Sequence, residues 1–101
     1  MIERAGDTLM LRGAVTYANA MQWREAVLKE IDRDGLIIDL AGIEEADSTA
    51  LSLLLECQRE AKARGFDIAF TNLPENLRSL AEVYGVLELI ALAGGTMSSP
   101  T

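Results

Sequence analysis

The sequence predicts a single α/β domain, in which a mixed β-sheet of about four to five strands packs with three to four α-helices. The main evidence is an apolar strand pattern, Leu36 to Leu40, followed by an amphipathic helical pattern and then a second strand pattern from Phe66. Crossovers of this kind are right-handed and join parallel strands. With 101 residues, half of them hydrophobic, the chain can bury one ordinary core but leaves no room for a second domain.

The N-terminal part predicts a hairpin and then a helix. Thr8 to Arg12 alternates as a half-buried strand does, and Ile2 to Arg4 can pair beside it. From Tyr17 to Asp32 the spacing becomes helical, before Gly35 restarts the chain as a strand. Arg24 falls inside the predicted apolar face and Trp23 at its edge, and we interpret both as packing residues, with a contact surface as the alternative. That face is predicted to contain Tyr17, Ala20, Met21, Val27, Leu28 and Ile31.

The central part predicts the core strand and the longest helix. Leu36 to Leu40 is apolar on both faces except at Asp39, which is typical of a central strand covered on both sides or of a strand in the sheet interior. The next helix is predicted from about Thr49 to Arg64, with Gly65 as its stop. Leu53 points away from the predicted buried stripe of this helix, so we expect it on a contact surface. The stripe is predicted to contain Leu51, Leu54, Leu55, Gln58 and Ala61.

The C-terminal part predicts a strand and a further helix. Alternation of Phe66, Ile68 and Phe70 indicates the strand. Pro74 fits the first turn of the helix and Gly85 its stop. The segment from 86 to 92 predicts a last strand or a short helix. We place the domain at residues 1–93 and expect a flexible C-terminal tail at residues 94–101. The apolar face of the predicted helix contains Leu73, Leu77, Leu80, Ala81 and Tyr84.

The charge and hydropathy of the chain restrict the classes of partner that it can bind. The net charge is −7, the sequence pI is about 4.4 and the nine basic residues are scattered, which disfavours nucleic acid and anionic membranes. A basic patch on another protein would instead be attracted. No apolar run approaches the roughly 20 residues of a membrane-spanning helix, so we expect no direct membrane insertion. The single Cys57 and a Met1 start without a targeting pattern lead us to expect a cytoplasmic location.

Several kinds of chemistry are missing from the sequence. There is no histidine, Cys57 is expected to be buried, and neither common phosphate-binding glycine motif occurs. The acidic run of Glu44, Glu45 and Asp47 is interpreted as a solvated loop rather than a cation site. We therefore expect no catalytic residues, no metal and no cofactor, and we predict that the protein is not an enzyme.

The predicted functional site is the start of the central helix, at Asp47, Ser48 and Thr49. A helix start leaves backbone N–H groups without intrahelical partners and carries partial positive charge. Hydroxyls placed there can cap the helix, accept a phosphate or face a partner protein. We expect one of the three side chains to be the cap, and capping excludes neither of the other roles.

These segments resemble a known family. Leu36 to Leu40, then Ala46 to Leu51, and then Gly65 with a strand, resemble the STAS domain of anti-sigma factor antagonists and sulfate transporters, and the resemblance extends over nearly the whole chain. Residues 53–56, 72–77 and 79–85 are similar, more specifically, to the MlaB subgroup. Those blocks read Leu-Leu-Leu-Glu, Asn-Leu-Pro-Glu-Asn-Leu and Ser-Leu-Ala-Glu-Val-Tyr-Gly.

The resemblance implies a non-catalytic cytoplasmic subunit of an ABC transporter that moves phospholipids between the inner and outer membranes and maintains lipid asymmetry. Such a subunit docks on the ATPase subunit, MlaF-like, and through it lies at the permease and the inner membrane. Ser48 matches the hydroxyl residue that the MlaB subgroup uses at this interface. Our predicted partner-binding residues are Asp47, Ser48, Thr49, Ala50 and Leu53.

The alternative implied by the same resemblance is an anti-sigma factor antagonist. In that branch an anti-sigma factor kinase would phosphorylate Thr49, which matches the modified serine of sporulation antagonists, or Ser48. Such antagonists more often carry glycine where this chain has Ala50, which weakens the alternative only slightly. Because both hydroxyls are present, the motif by itself leaves the two branches open.

Overall fold

The structure is a computed structural model that describes residues 1–92, and the predicted tail at 94–101 lies outside the described residues. Strands and helices alternate after an N-terminal hairpin, as predicted. Short 3₁₀ turns precede the first helix and follow the last. The elements are β1 (Ile2–Ala5), β2 (Thr8–Val15), α1 (Ala20–Lys29), β3 (Leu36–Ala46), α2 (Ser48–Ala63), β4 (Ile68–Thr71) and α3 (Glu75–Val83).

The four strands form one mixed sheet in the order β1-β2-β3-β4. β1 runs antiparallel to β2, whereas β2, β3 and β4 are mutually parallel. This confirms the predicted α/β class and the hairpin. Beyond β4, Leu92 makes a single parallel bridge to Phe70, after a 3₁₀ turn at Leu87–Leu89. The segment from 86 to 92, predicted as a last strand or a short helix, thus forms one 3₁₀ turn and one β-bridge.

The core lies on one face of the sheet. Leu9 of β2 is paired with Ile38 of β3, and both are fully buried. On the opposite face the neighbouring pair, Thr8 and Ile37, is only half-buried, and so is Asp39. Of the two predicted alternatives, a strand covered on both faces is therefore wrong, whereas a strand in the interior of the sheet is confirmed, because β3 lies between β2 and β4. Asp39 accepts hydrogen bonds from the Ala41 N–H and the Asn72 amide, at the half-covered face.

β3 is longer than predicted and continues to Ala46. Glu44 and Glu45 therefore lie in the strand, and the prediction that they form a loop is wrong. Gly42 permits this extension, because a Cβ there would lie 2.7 Å from the carbonyl oxygen of Leu11 on β2. No side chain fits at that distance without a backbone shift. The longer strand carries the chain directly to the start of α2.

The buried face of α1 agrees with the predicted one only toward its C-terminal end, at Val27 and, just after the helix, at Ile31. Trp23, Val27 and Ile31 are buried, whereas Tyr17 is 84% exposed and Met21 is 72% exposed. Residues four apart share one helical face, and Trp23, Val27 and Ile31 follow this spacing. The Trp23 indole N–H donates to the Ala14 carbonyl oxygen at 2.8 Å, so its packing role is confirmed and its polar atom is satisfied.

Arg24 lies at the protein surface, in contrast to the predicted packing role. Its Nε is 2.8 Å from Oε1 of Glu56 on α2, and both side chains are partly exposed. Arg24 lies beside the part of the predicted apolar stripe, at Tyr17 and Met21, that faces solvent, which explains the presence of a cation there. The pair ties α1 to α2 across their exposed sides.

α2 buries a wider arc than a single stripe. Leu53 is 4% exposed, so the prediction that it lies off the core is wrong. Leu55 and Gln58, which were predicted to be core residues, are only half-buried. The physical reason is that α2 contacts α1 on one side and α3 on the other, so that the positions on both flanks are covered. The buried residues of α2 are Ala50, Leu51, Leu53, Leu54, Cys57 and Ala61.

Candidate functional site

Asp47 caps α2 and ties the helix to the turn before α1. Its Oδ1 accepts the backbone N–H of Thr49 at 2.9 Å and also the Thr49 hydroxyl. Its Oδ2 accepts the backbone N–H of Tyr17 at 2.9 Å. Of the three candidate caps, the structure selects Asp47. One carboxylate therefore holds two segments that are 30 positions apart in the sequence.

The pKa of Asp47 is lowered from its ordinary value. The largest cause is the hydrogen bond from the Thr49 hydroxyl, followed by the bond from the Tyr17 N–H, and desolvation opposes both. Hydrogen bonds to the charged form favour the carboxylate. Folding therefore stabilises the ionised Asp47, and acid must remove part of the stability that this residue contributes.

We expect Asp47→Asn to cost stability at neutral pH but little in acid. The carboxylate contribution is present above the unfolded-state pKa of about 4 and is lost as the pH falls through the lower folded-state value. Asparagine is itself a good cap and does not titrate, so it is the matched variant. Urea unfolding of both proteins between about pH 6 and pH 3 measures the difference. A difference that stays constant over this range would contradict the assignment.

The predicted site residues differ in their accessibility. Ser48 is exposed, whereas Thr49 is half-buried and its hydroxyl is engaged by Asp47. Ala50 and Leu53 are buried, at 3% and 4% exposure, so neither side chain is available to a partner in this structure. Their predicted contact role has no exposed surface to support it. Both belong to the side of α2 that packs on the core.

Two open grooves flank the first half of α2. The α1–α2 groove has a volume of about 190 Å³ and lies between Met21 and Arg24 on one wall and Thr49 and Ser52 on the other. The α2–α3 groove has a volume of about 310 Å³. Thr49 and Ser52 border both grooves. The α2–α3 groove is lined by Ser48, Thr49, Leu51, Ser52, Leu55, Tyr84 and Val86.

Sequence reasoning missed three exposed residues beside this helix start. Tyr17 and Met21 were assigned to the core face of α1, and Tyr84 to that of α3, yet Tyr84 is 57% exposed. The available signal was Arg24, which shares the Tyr17–Met21 stripe and marks it as the solvent side. For Tyr84 the signal was Gly85, whose φ of +70° ends the helix and turns the chain.

A cavity larger than either groove lies elsewhere. It has a volume of about 630 Å³ and separates the β1–β2 hairpin from α1. The Asn19 amide and the Trp23 indole on its wall both donate to the Ala14 carbonyl oxygen. Their donors are thus committed to the fold and are not available to a ligand in this cavity.

The described residues offer no group of metal-ligating side chains, and none of their helices is long and apolar enough to span a membrane. Cys57 is buried on α2, and its burial, with a smaller effect from Glu56, raises its pKa to about 12. A thiol of that kind is a poor nucleophile, because the thiolate is the reactive form. Beside the start of α2, residues 1–92 present the exposed Ser48 and two open grooves.

One known protein family matches this chain. A family model described as "Mlab, STAS domain" matches residues 1–91, almost all of the described chain. The chain belongs to the STAS-domain family. Its α/β fold is therefore that of a STAS domain. No curated protein matches the sequence significantly.

Solved structures share the fold of this STAS domain at low sequence identity. The unphosphorylated anti-sigma factor antagonist SpoIIAA is 17% identical, with a TM-score of 0.69 over 100% of this chain and 87% of that one. RsbS of Moorella thermoacetica is 22% identical, with a TM-score of 0.65 over 95% and 86%. A sulfate transporter family protein of Wolinella succinogenes is 18% identical, with a TM-score of 0.64 over 84% and 70%.

Proposed function

We propose that this STAS domain is a non-catalytic regulatory subunit that binds the ATPase of an ABC transporter moving phospholipids between the inner and outer membranes. Its role is to support maintenance of outer-membrane lipid asymmetry. The protein works in the cytoplasm and reaches the inner membrane only through the transporter complex. The contact is made by the surface around Ser48, at the start of α2.

The observation that carries this proposal is the match to a family model whose description names MlaB, over residues 1–91. The geometry is consistent with a docking role. Ser48 is exposed at the α2–α3 groove, and its short side chain leaves room for close approach of another protein. Within the described residues the surroundings of Ser48 supply no histidine, reactive thiol or metal site that would support catalysis.

A second candidate is an anti-sigma factor antagonist switched by phosphorylation at Thr49 or Ser48. The fold is shared with SpoIIAA, which has also been solved in a phosphorylated form. The two hydroxyls differ in how accessible they are to a kinase. A phosphate on Thr49 would face the Asp47 carboxylate and break the hydrogen bond between them, whereas Ser48 is exposed. A kinase partner therefore finds Ser48 more accessible.

The experiment that separates the two functions is co-purification of the tagged protein from its own cells, with mass spectrometry of the retained proteins and of Ser48 and Thr49. For the transporter function we expect an ABC ATPase together with its membrane permease, and unmodified hydroxyls. An anti-sigma kinase with phosphate on either residue would instead establish the switch and overturn the transporter proposal.

A further inference from the structure

Apolar side chains are exposed on both sides of α2 beside its capped start. Met21 is 72% exposed at the α1–α2 groove, and Tyr84 is 57% exposed at the α2–α3 groove. Tyr17, 84% exposed, lies in the 3₁₀ turn before α1, and its backbone N–H donates to the Asp47 carboxylate. Large aromatic side chains and methionine are enriched in the cores of protein interfaces. Three such residues around one helix start form a candidate binding surface.

The charge around this surface is negative. Glu44 and Glu45 are exposed at the end of β3, directly before the cap. The cation that lines the α1–α2 groove, Arg24, is already paired with Glu56 at 2.8 Å. Together with a net charge of −7, these carboxylates favour a partner surface that carries lysine or arginine. They oppose a second copy of this chain, whose own acidic rim would be repelled.

We propose that Met21 and Tyr84 are the two anchor residues of the ATPase contact, each packing against an apolar side chain of the ATPase, which surrounds them with basic residues. This inference rests on the proposed function and extends it to the chemistry of the partner. The two grooves place one anchor on each side of α2, so the partner straddles the helix. Thr49 and Ser52, which border both grooves, form the floor of the contact.

Binding of the purified ATPase to the folded protein tests the anchors. We expect Met21→Ala and Tyr84→Ala each to raise Kd about tenfold or more, as truncation of an interface hot spot does. The matched control is Leu89→Ala, because Leu89 is also apolar and 58% exposed but lines neither groove. Both anchors are exposed, so the melting temperatures of the variants should stay close to that of the wild type.

A separate experiment tests the charge complementarity. Glu45→Lys should slow association and weaken its dependence on salt, whereas Glu75→Lys, with the same change in net charge at the far end of α3, should not. If the wild type binds the ATPase and the Met21→Ala and Tyr84→Ala variants bind it with the same affinity, these residues are not anchors, but the proposed function still holds. No binding by the wild type would defeat both proposals. If the wild type self-associates, and the Met21→Ala and Tyr84→Ala variants lose self-association but bind the ATPase normally, the surface belongs to a contact with a second copy of this chain.

Discussion

Replacing Ser48 with arginine should abolish capture of the transporter ATPase while leaving the domain folded. Ser48 is exposed at the first position of α2, so a larger side chain there disturbs no packing. In a close interface, however, the added arginine occupies space at the α2–α3 groove, which Ser48 lines, and brings positive charge toward a partner expected to be basic. We expect a loss of affinity of at least about a hundredfold, equivalent to about 2.7 kcal/mol.

The measurement is a pull-down, followed by a titration of ATPase into the variant. Ser79→Arg is the matched control, because it makes the same substitution at an exposed position of α3 that lines neither groove. Normal binding by Ser48→Arg would show that the contact lies elsewhere. Thr49→Arg would be a less clean variant, since the Thr49 hydroxyl is part of the cap.

Replacing Leu54 with aspartate should unfold the domain. Leu54 is 2% exposed on the core side of α2. Truncating a buried leucine typically costs about 2–5 kcal/mol through lost contacts and the remaining cavity. A buried, unpaired carboxylate adds a desolvation penalty of several kcal/mol. The sum approaches or exceeds the roughly 5–15 kcal/mol of unfolding free energy that an ordinary domain has.

Circular dichroism with thermal melting measures this effect. Ser52→Asp is the control, because it introduces the same charge at an exposed position of the same helix, close to its N-terminus, where a carboxylate is favourable. We expect a native-like melting curve for Ser52→Asp and none for Leu54→Asp. A cooperative transition near the wild-type temperature for Leu54→Asp would show that the assigned buried face of α2 is wrong.

The amino-acid sequence by itself determined the order and class of the elements. The alternation in β2 and β4, the apolar run of β3 and the glycines that end the helices are local signals, and they act over a few residues. The start of α2 was predicted for the same reason, because Asp47, Ser48 and Thr49 are good helix-capping residues. The fold decided which of the three residues is the cap, because Asp47 also accepts the backbone N–H of Tyr17.

Tertiary structure decided which helix faces are buried. Leu53 was expected at the surface and is buried, because α1 and α3 cover α2 from both sides. Tyr17, Met21 and Tyr84 were expected in the core and are exposed. Helical periodicity gives the angle between side chains but not which neighbours surround the helix, and a wide apolar arc fits more than one orientation. The grooves beside Ser48 form only when three helices pack together, so no segment of the sequence specifies them alone.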